Sequence, residues 1–174
     1  IGFGYQSAMA MTTGDYNTLV GYNTGKALTT GGANVFVGKS AGLKTIAGDA
    51  NIGIGTSAFY NSTNADYNVA IGEDALGLGI VTGNDNIAIG TEALEDATSA
   101  SGSIAIGHGA AKEHTTGNAN IAIGSGSMGK GIAVIGNFDG QNVGVGSYTL
   151  EDLTTGERNV GIGYRALDEL TTGG

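Results

Sequence analysis

Cysteine, proline and tryptophan are absent from this 174-residue chain, and aromatic residues make up 6% of it and charged residues 13%. Without cysteine there is no disulfide framework, and so low a charge content excludes a charge-extended disordered tail. Basic residues are scarce in particular: seven Lys and Arg stand against sixteen Asp and Glu, for a net charge of −9. They are also scattered, whereas binding nucleic acid needs clustered Lys and Arg to displace counterions, so nucleic acid is not expected as a partner. No run approaches the ~20 apolar residues of a membrane helix, and no charged start leads into an apolar run. Neither a signal peptide nor membrane insertion by this segment is expected. The chain opens inside a repeat, at Ile1-Gly2-Phe3-Gly4, and stops at Thr171-Thr172-Gly173-Gly174, where another repeat is due. It reads as a window on a longer fibre.

What the chain has in abundance is glycine, 34 residues of it, without the strict three-residue period of collagen. Many of these glycines close a recurring pentad, Asn-Val/Ile-x-Val/Ile-Gly, as in Asn34-Val35-Phe36-Val37-Gly38, Asn68-Val69-Ala70-Ile71-Gly72 and Asn120-Ile121-Ala122-Ile123-Gly124. The closing glycines at 4, 21, 38, 55, 72, 90, 107 and 124 are spaced by 17 residues, with a single step of 18. A fixed period this short is one coil of a β-solenoid per repeat. Residues 1–174 therefore read as a single repetitive, all-β segment of about ten coils.

Within a coil, the branched residues flanking the pentad centre alternate with period two and share one strand face. Val69, Ile71, Ile87, Ile89, Ile104, Ile106, Ile121 and Ile123 are accordingly expected to be buried inside the roll. The centre is nearly always small: Gly53, Ala70, Ala88, Ala105, Ala122, Gly144 and Gly161, against Leu19 and Phe36. Persistent smallness points to a close neighbour, so Ala70, Ala88, Ala105 and Ala122 are expected to lie against another chain or a neighbouring strand. A second apolar position follows in Phe59, Leu76, Leu94, Met128, Leu150 and Leu167, the third core contribution of each coil. Thr-Thr-Gly, as at Thr29-Thr30-Gly31, then closes the coil, with glycine expected to supply a positive φ and the Thr hydroxyls to bond nearby backbone. The repeated Asn is read as a ladder of stacked corner amides.

About three moderate apolar side chains per coil, at roughly 1.5–3 kcal/mol each, fall short of ordering 17 residues at about 1 kcal/mol or more apiece. Packing several chains together adds the missing burial, and a threefold homo-oligomer is the economical solution.

The string Asn-Val/Ile-Ala/Gly-Ile-Gly-x-x-Ala-Leu, with Thr-Thr-Gly after it, resembles the YadA-like head repeats of trimeric autotransporter adhesins and the related repeats of bacteriophage tail fibres. The resemblance covers nearly the whole chain. It implies left-handed parallel β-rolls, three identical chains around a common axis, and an extracellular setting on a cell-surface fibre or a virion tail fibre. It also implies a role in host attachment, with a host-surface glycan or protein as partner.

The period breaks once, in an irregular coil or insertion at 125–145: from Gly124 the next pentad-like glycines are Gly136 and Gly146. A break in a solenoid is where function is inserted, so Phe138, Asp139 and Gln141 are the first candidates for a receptor contact. The tyrosines Tyr5, Tyr22 and Tyr164, which follow pentad glycines, are the second. No catalytic constellation, metal-ligand spacing or cofactor motif is read. His108 and His114 are taken as surface residues, and the acidic pairs Glu73-Asp74, Glu95-Asp96, Glu151-Asp152 and Asp168-Glu169 as solubilising. The chain is thus expected to be no enzyme. Two other classes remain beside the fibre: a single-chain ice-binding solenoid, suggested by the threonines, and a carbohydrate-acting tail spike, which needs convergent acids in a groove.

Overall fold

The structure, a computed structural model, describes residues 1–130 and 140–173. It is a parallel β-solenoid of about nine turns, with no helix among the described residues. Each pentad contributes one short strand: β1 (Gly2–Phe3), β2 (Thr18–Val20), β3 (Val35–Val37), β4 (Ile52–Ile54), β5 (Val69–Ile71), β6 (Ile87–Ile89), β7 (Ile104–Ile106), β8 (Ile121–Ile123), β9 (Val143–Val145) and β10 (Val160–Ile162). The ten form a single sheet in sequence order, every neighbour parallel. Equivalent pentad positions face each other across every pair, as in Ala88↔Ala105. The 18-residue step between β5 and β6 is accommodated without loss of register, Val69 pairing with Ile87.

The strands face the opposite way from the expectation. Their centres are fully buried: Leu19, Phe36, Ala70, Ala88, Ala105 and Ala122 are all 0% exposed. Val69, Ile71, Ile87, Ile89, Ile104, Ile106 and Ile121 are only half-buried, and Ile123 is exposed. They point out of the solenoid and are not its core. Alternation with period two places the flanking pair on one face, yet it does not say which face is inside. The interior of a 17-residue coil is narrow, and most of it is taken by the large residue that follows the strand: Phe59, Leu76, Leu94, Met128 and Leu150, all buried. A small centre is what fits opposite. The small residues Ala70, Ala88, Ala105 and Ala122 therefore pack within their own chain's core.

Those large residues sit at φ values of +48 to +52, in the left-handed region. Among the described residues twenty-four non-glycine residues do so, and none of them is Val, Ile or Thr, whose branched Cβ suffers most there. The Thr-Thr-Gly glycines, in contrast, carry no positive φ, contrary to expectation. They are small because coils stack closely at this corner: a Cβ on Gly31 would sit 2.3 Å from the carbonyl oxygen of Gly48. Positive φ belongs to the pentad glycines, such as Gly38 at +136, which turn the chain out of each strand.

Three polar ladders run along the rod. The inner one is the expected Asn ladder. Asn34 Oδ1 accepts from the backbone N–H of Asn51 at 2.9 Å and from its Nδ2 at 3.1 Å, while Asn34 Nδ2 donates to Gly48 O at 2.7 Å. These amides are buried, so each rung satisfies groups that would otherwise be orphaned at the corner. The second ladder uses the Thr hydroxyls, which donate to the next coil: Thr29 Oγ1 to Ile46 O at 3.0 Å and Thr98 Oγ1 to Thr115 O at 3.0 Å. In the third, the backbone N–H groups of Gly32, Asp49, Asp66, Asn84 and Ser101 donate to Asp49, Asp66, Asn84, Ser101 and Asn118 side chains one coil on.

Candidate functional surface

The outward pentad residues line up into two rows on the sheet face, because in-register pairing repeats the same position at every coil. One row runs Val20, Val37, Ile54, Ile71, Ile89, Ile106, Ile123, Val145, Ile162, and the other runs Val35, Ile52, Val69, Ile87, Ile104, Ile121, Val143, Val160. Neighbours in a row cover one another's flanks, which accounts for their half-buried state, yet their outer faces are open. At about 4.8 Å per strand the strip is roughly 45 Å long. Contiguous apolar patches on this scale mark interaction surfaces on soluble proteins.

The break in the period leaves the solenoid intact. β8 pairs directly with β9, Ile121 opposite Val143, across a step of 22 residues. The Asn ladder also spans it: Asn142 N and Nδ2 donate to Asn120 Oδ1 at 3.0 and 3.1 Å. Phe138 and Asp139 lie outside the described residues. Gln141 is exposed at the corner preceding Asn142; its N–H donates to Asn118 O at 3.1 Å and its Oε1 accepts from Arg158 Nε at 3.4 Å.

Tyr5 and Tyr22 are stacked, with ring centroids 5.3 Å apart and planes inclined by 13°, and both are exposed. Tyr164 lies eight coils further on, where it meets Tyr148 edge-on at 6.3 Å. The candidate contacts therefore occupy three separated places: a tyrosine stack in the first coils, Gln141 at the corner beside the long coil, and Tyr164 in the last.

Two titratable features depart from the surface roles expected of them. Lys112 Nζ reaches Glu92 at 2.7 Å and the largely buried Glu95 at 2.9 Å, and its hydrogen bond holds the Glu92 carboxyl below the ordinary value. His108 is exposed, but His114 occupies an interior position: its Nε2 is buried without a partner, and desolvation lowers its pKa to about 4. Leu28, Ala97, Leu153 and Leu170 fill the same place in other coils, nine residues after the strand centre. That offset was the signal in the sequence.

No family model, curated protein or solved structure matches this chain.

Proposed function

We propose that the chain is a structural and adhesive segment of a homotrimeric extracellular fibre, of the kind found on cell surfaces or as viral tail fibres, and that three rods meet through the outward Val and Ile rows. The observation that carries this reading is the pair of apolar rows. Water-exposed strand faces in antiparallel sheets are polar, whereas this one offers branched apolar side chains at coil after coil. Parallel, identical rods place equal rows against one another, and the resemblance of the pentads to trimeric adhesin and tail-fibre repeats supports three copies. The Thr hydroxyls, in turn, are engaged as donors between coils, which leaves the ice-binding alternative without a free rank of hydroxyls at these positions.

Sedimentation of the parent and of an Ile71→Asp, Ile89→Asp double variant tests the assembly. Both substitutions lie outside the core, so each coil keeps its interior. The parent is expected at three times 17.2 kDa and the variant at one. A parent that sediments as a single chain overturns the fibre reading. Trimming the 22-residue coil to 17 and measuring attachment to host cells then tests adhesion: reduced attachment assigns the contact to this span, and full attachment places it elsewhere on the fibre.

A further inference from the structure

The coil of residues 103–119 is built more weakly than its neighbours in three respects. Its buried residues are Ser103, Ala105, Gly109, Ala110 and Ala111, all small. Among the described residues, every other coil between 17 and 158 buries at least one Leu, Phe or Met side chain. Its rung of the Asn ladder is a serine: Ser103 Oγ accepts from Asn120 N at 3.3 Å, where Asn34 Oδ1 accepts two bonds from Asn51, at 2.9 and 3.1 Å. Its largest inward group is the His114 imidazole, whose Nε2 is buried without a hydrogen-bond partner. A buried polar atom left unpaired is costly, so each of the three features lowers the free energy needed to open this coil.

The imidazole stays in place only as the neutral form, because a charge at Nε2 would be buried with no acceptor to meet it. Charged groups on the surrounding flank are Glu92, Glu95 and Asp96 on the preceding coil, Lys112 and Glu113 on its own, and Lys130 on the following one. None of them enters the lowering of its pKa from 6.5 to about 4, which comes from desolvation alone. Lys112 has a different part. Its bonds to Glu92 at 2.7 Å and Glu95 at 2.9 Å tie the coil to the preceding one and hold the Glu92 carboxyl below the ordinary value. That clamp therefore keeps its charges in the range where a histidine released to water takes up a proton.

We propose that residues 103–119 form an acid-released joint in the rod: in mildly acidic surroundings the His114 imidazole leaves the interior and takes up a proton, and this coil opens while the coils of residues 18–72 stay wound. The sign follows from the two states. The closed coil disfavours the proton and the open coil binds it with the ordinary affinity of a histidine, so opening is unaffected above pH 6.5 and grows as the pH falls from there towards 4. At about pH 5 the opening equilibrium is roughly 30-fold larger than at neutral pH. The joint goes beyond the assembly and attachment proposed above and uses groups of one chain only. A single rod carries it once, and a trimer carries it three times at one height, where the fibre becomes pliable.

Hydrogen exchange of the whole chain, read by mass spectrometry and corrected for the pH dependence of intrinsic exchange, tests it at about pH 7.5 and about pH 5. Protection in peptides from 103–119 is expected to fall roughly 30-fold between the two, and in peptides from 18–72 by less than about threefold. His114→Leu places there the side chain that Leu28 and Leu153 supply in other coils, and His114→Gln keeps a polar group that does not titrate. Either variant is expected to abolish the fall, with protection of 18–72 at the parent's level. Ser103→Asn is expected to raise protection of 103–119 at both pH values and to leave the fall intact. An equal fall in 18–72, no fall in 103–119, or an undiminished fall in both His114 variants overturns the proposal.

Discussion

The coil built on Phe36 and the coil built on Ala88 fill the same interior from opposite sides. In the first, the strand centre is a phenylalanine and the residue six positions later is Gly42, where an added Cβ would lie 2.4 Å from the Phe36 ring. In the second, the centre is alanine and the residue six positions later is Leu94. Leu19 with Gly25 follows the first pattern, while Gly53 with Phe59, Ala70 with Leu76, Ala122 with Met128 and Gly144 with Leu150 follow the second. Each coil has room for one large side chain across the strand, and either wall can supply it. What is held constant is volume, as close packing demands. Two coils depart from both patterns: the first, where Gly2 is followed by Ala8, and an inner one, where Ala105 is followed by Ala111 and the imidazole of His114 takes an interior place.

The largest test of this exchange is Phe36→Ala, which is expected to empty the coil and cost about 3–5 kcal/mol in denaturant unfolding. Adding Gly42→Leu converts the coil to the second pattern, with leucine at a backbone conformation that Leu76 and Leu94 already adopt. The double variant is expected to recover more than half of the loss. A double variant no more stable than Phe36→Ala breaks the comparison.

The inner exceptional coil carries a pH dependence. With its folded pKa lowered from 6.5 to about 4, His114 takes up a proton in the unfolded chain first. Its effect on stability is therefore absent above pH 6.5; stability falls as the pH drops from 6.5 to 4 and the effect is then constant, up to about 3 kcal/mol in all. Thermal unfolding across that range should show the slope in the parent and a shallower one in His114→Leu, and equal slopes would exclude the imidazole as its source.

Ala88→Leu places two leucines where the second pattern has room for one. The overpacked core is expected to cost about 1–3 kcal/mol per chain. Because the change lies inside the solenoid, the assembled mass should persist wherever the chain still folds. A variant that melts like the parent would mean that the interior is looser than it looks.

The smallest expected effect lies in the ladder of the same exceptional coil. Ser103 replaces the repeated Asn, and its hydroxyl makes only long bonds: it donates to Gly117 O at 3.3 Å and accepts from Asn120 N at 3.3 Å. Ser103→Asn restores a complete rung and should raise stability by about 0.5–1.5 kcal/mol, read as a shift in denaturant midpoint.

The coil length, the strand positions, the Asn ladder and the third core residue at Phe59, Leu76, Leu94, Met128 and Leu150 were legible in the sequence, because periodicity reports directly on what stacks upon what; Leu167, read the same way, is 47% exposed in the last coil. Strand orientation was not. Val69 and Ile71 look like core residues beside Ala70, and only the closed outline of the coil shows that Leu76 has already taken the interior. The Thr-Thr-Gly glycines were recognised as corners, but the reason for them, the Gly48 carbonyl above Gly31, depends on a contact one coil away. The rungs formed by Asp49, Asp66 and Asn118 were hidden for a similar cause, since those residues look like ordinary turn residues. As for the candidate contacts, the tyrosines were placed correctly on the surface.

Coil-to-coil bonding in strict sequence order also has a mechanical meaning. Within the chain, each turn is held by the turns immediately above and below, so a force applied to one end of the chain loads the outermost contacts and leaves the interior unstrained. The rod should yield under tension by peeling one turn at a time, each releasing about 55 Å of extended chain, with a single step of about 70 Å where the 22-residue turn lets go. A tether of this kind lengthens under load in even increments and rewinds when the load is removed, so it can absorb a pull without surrendering its whole structure at once.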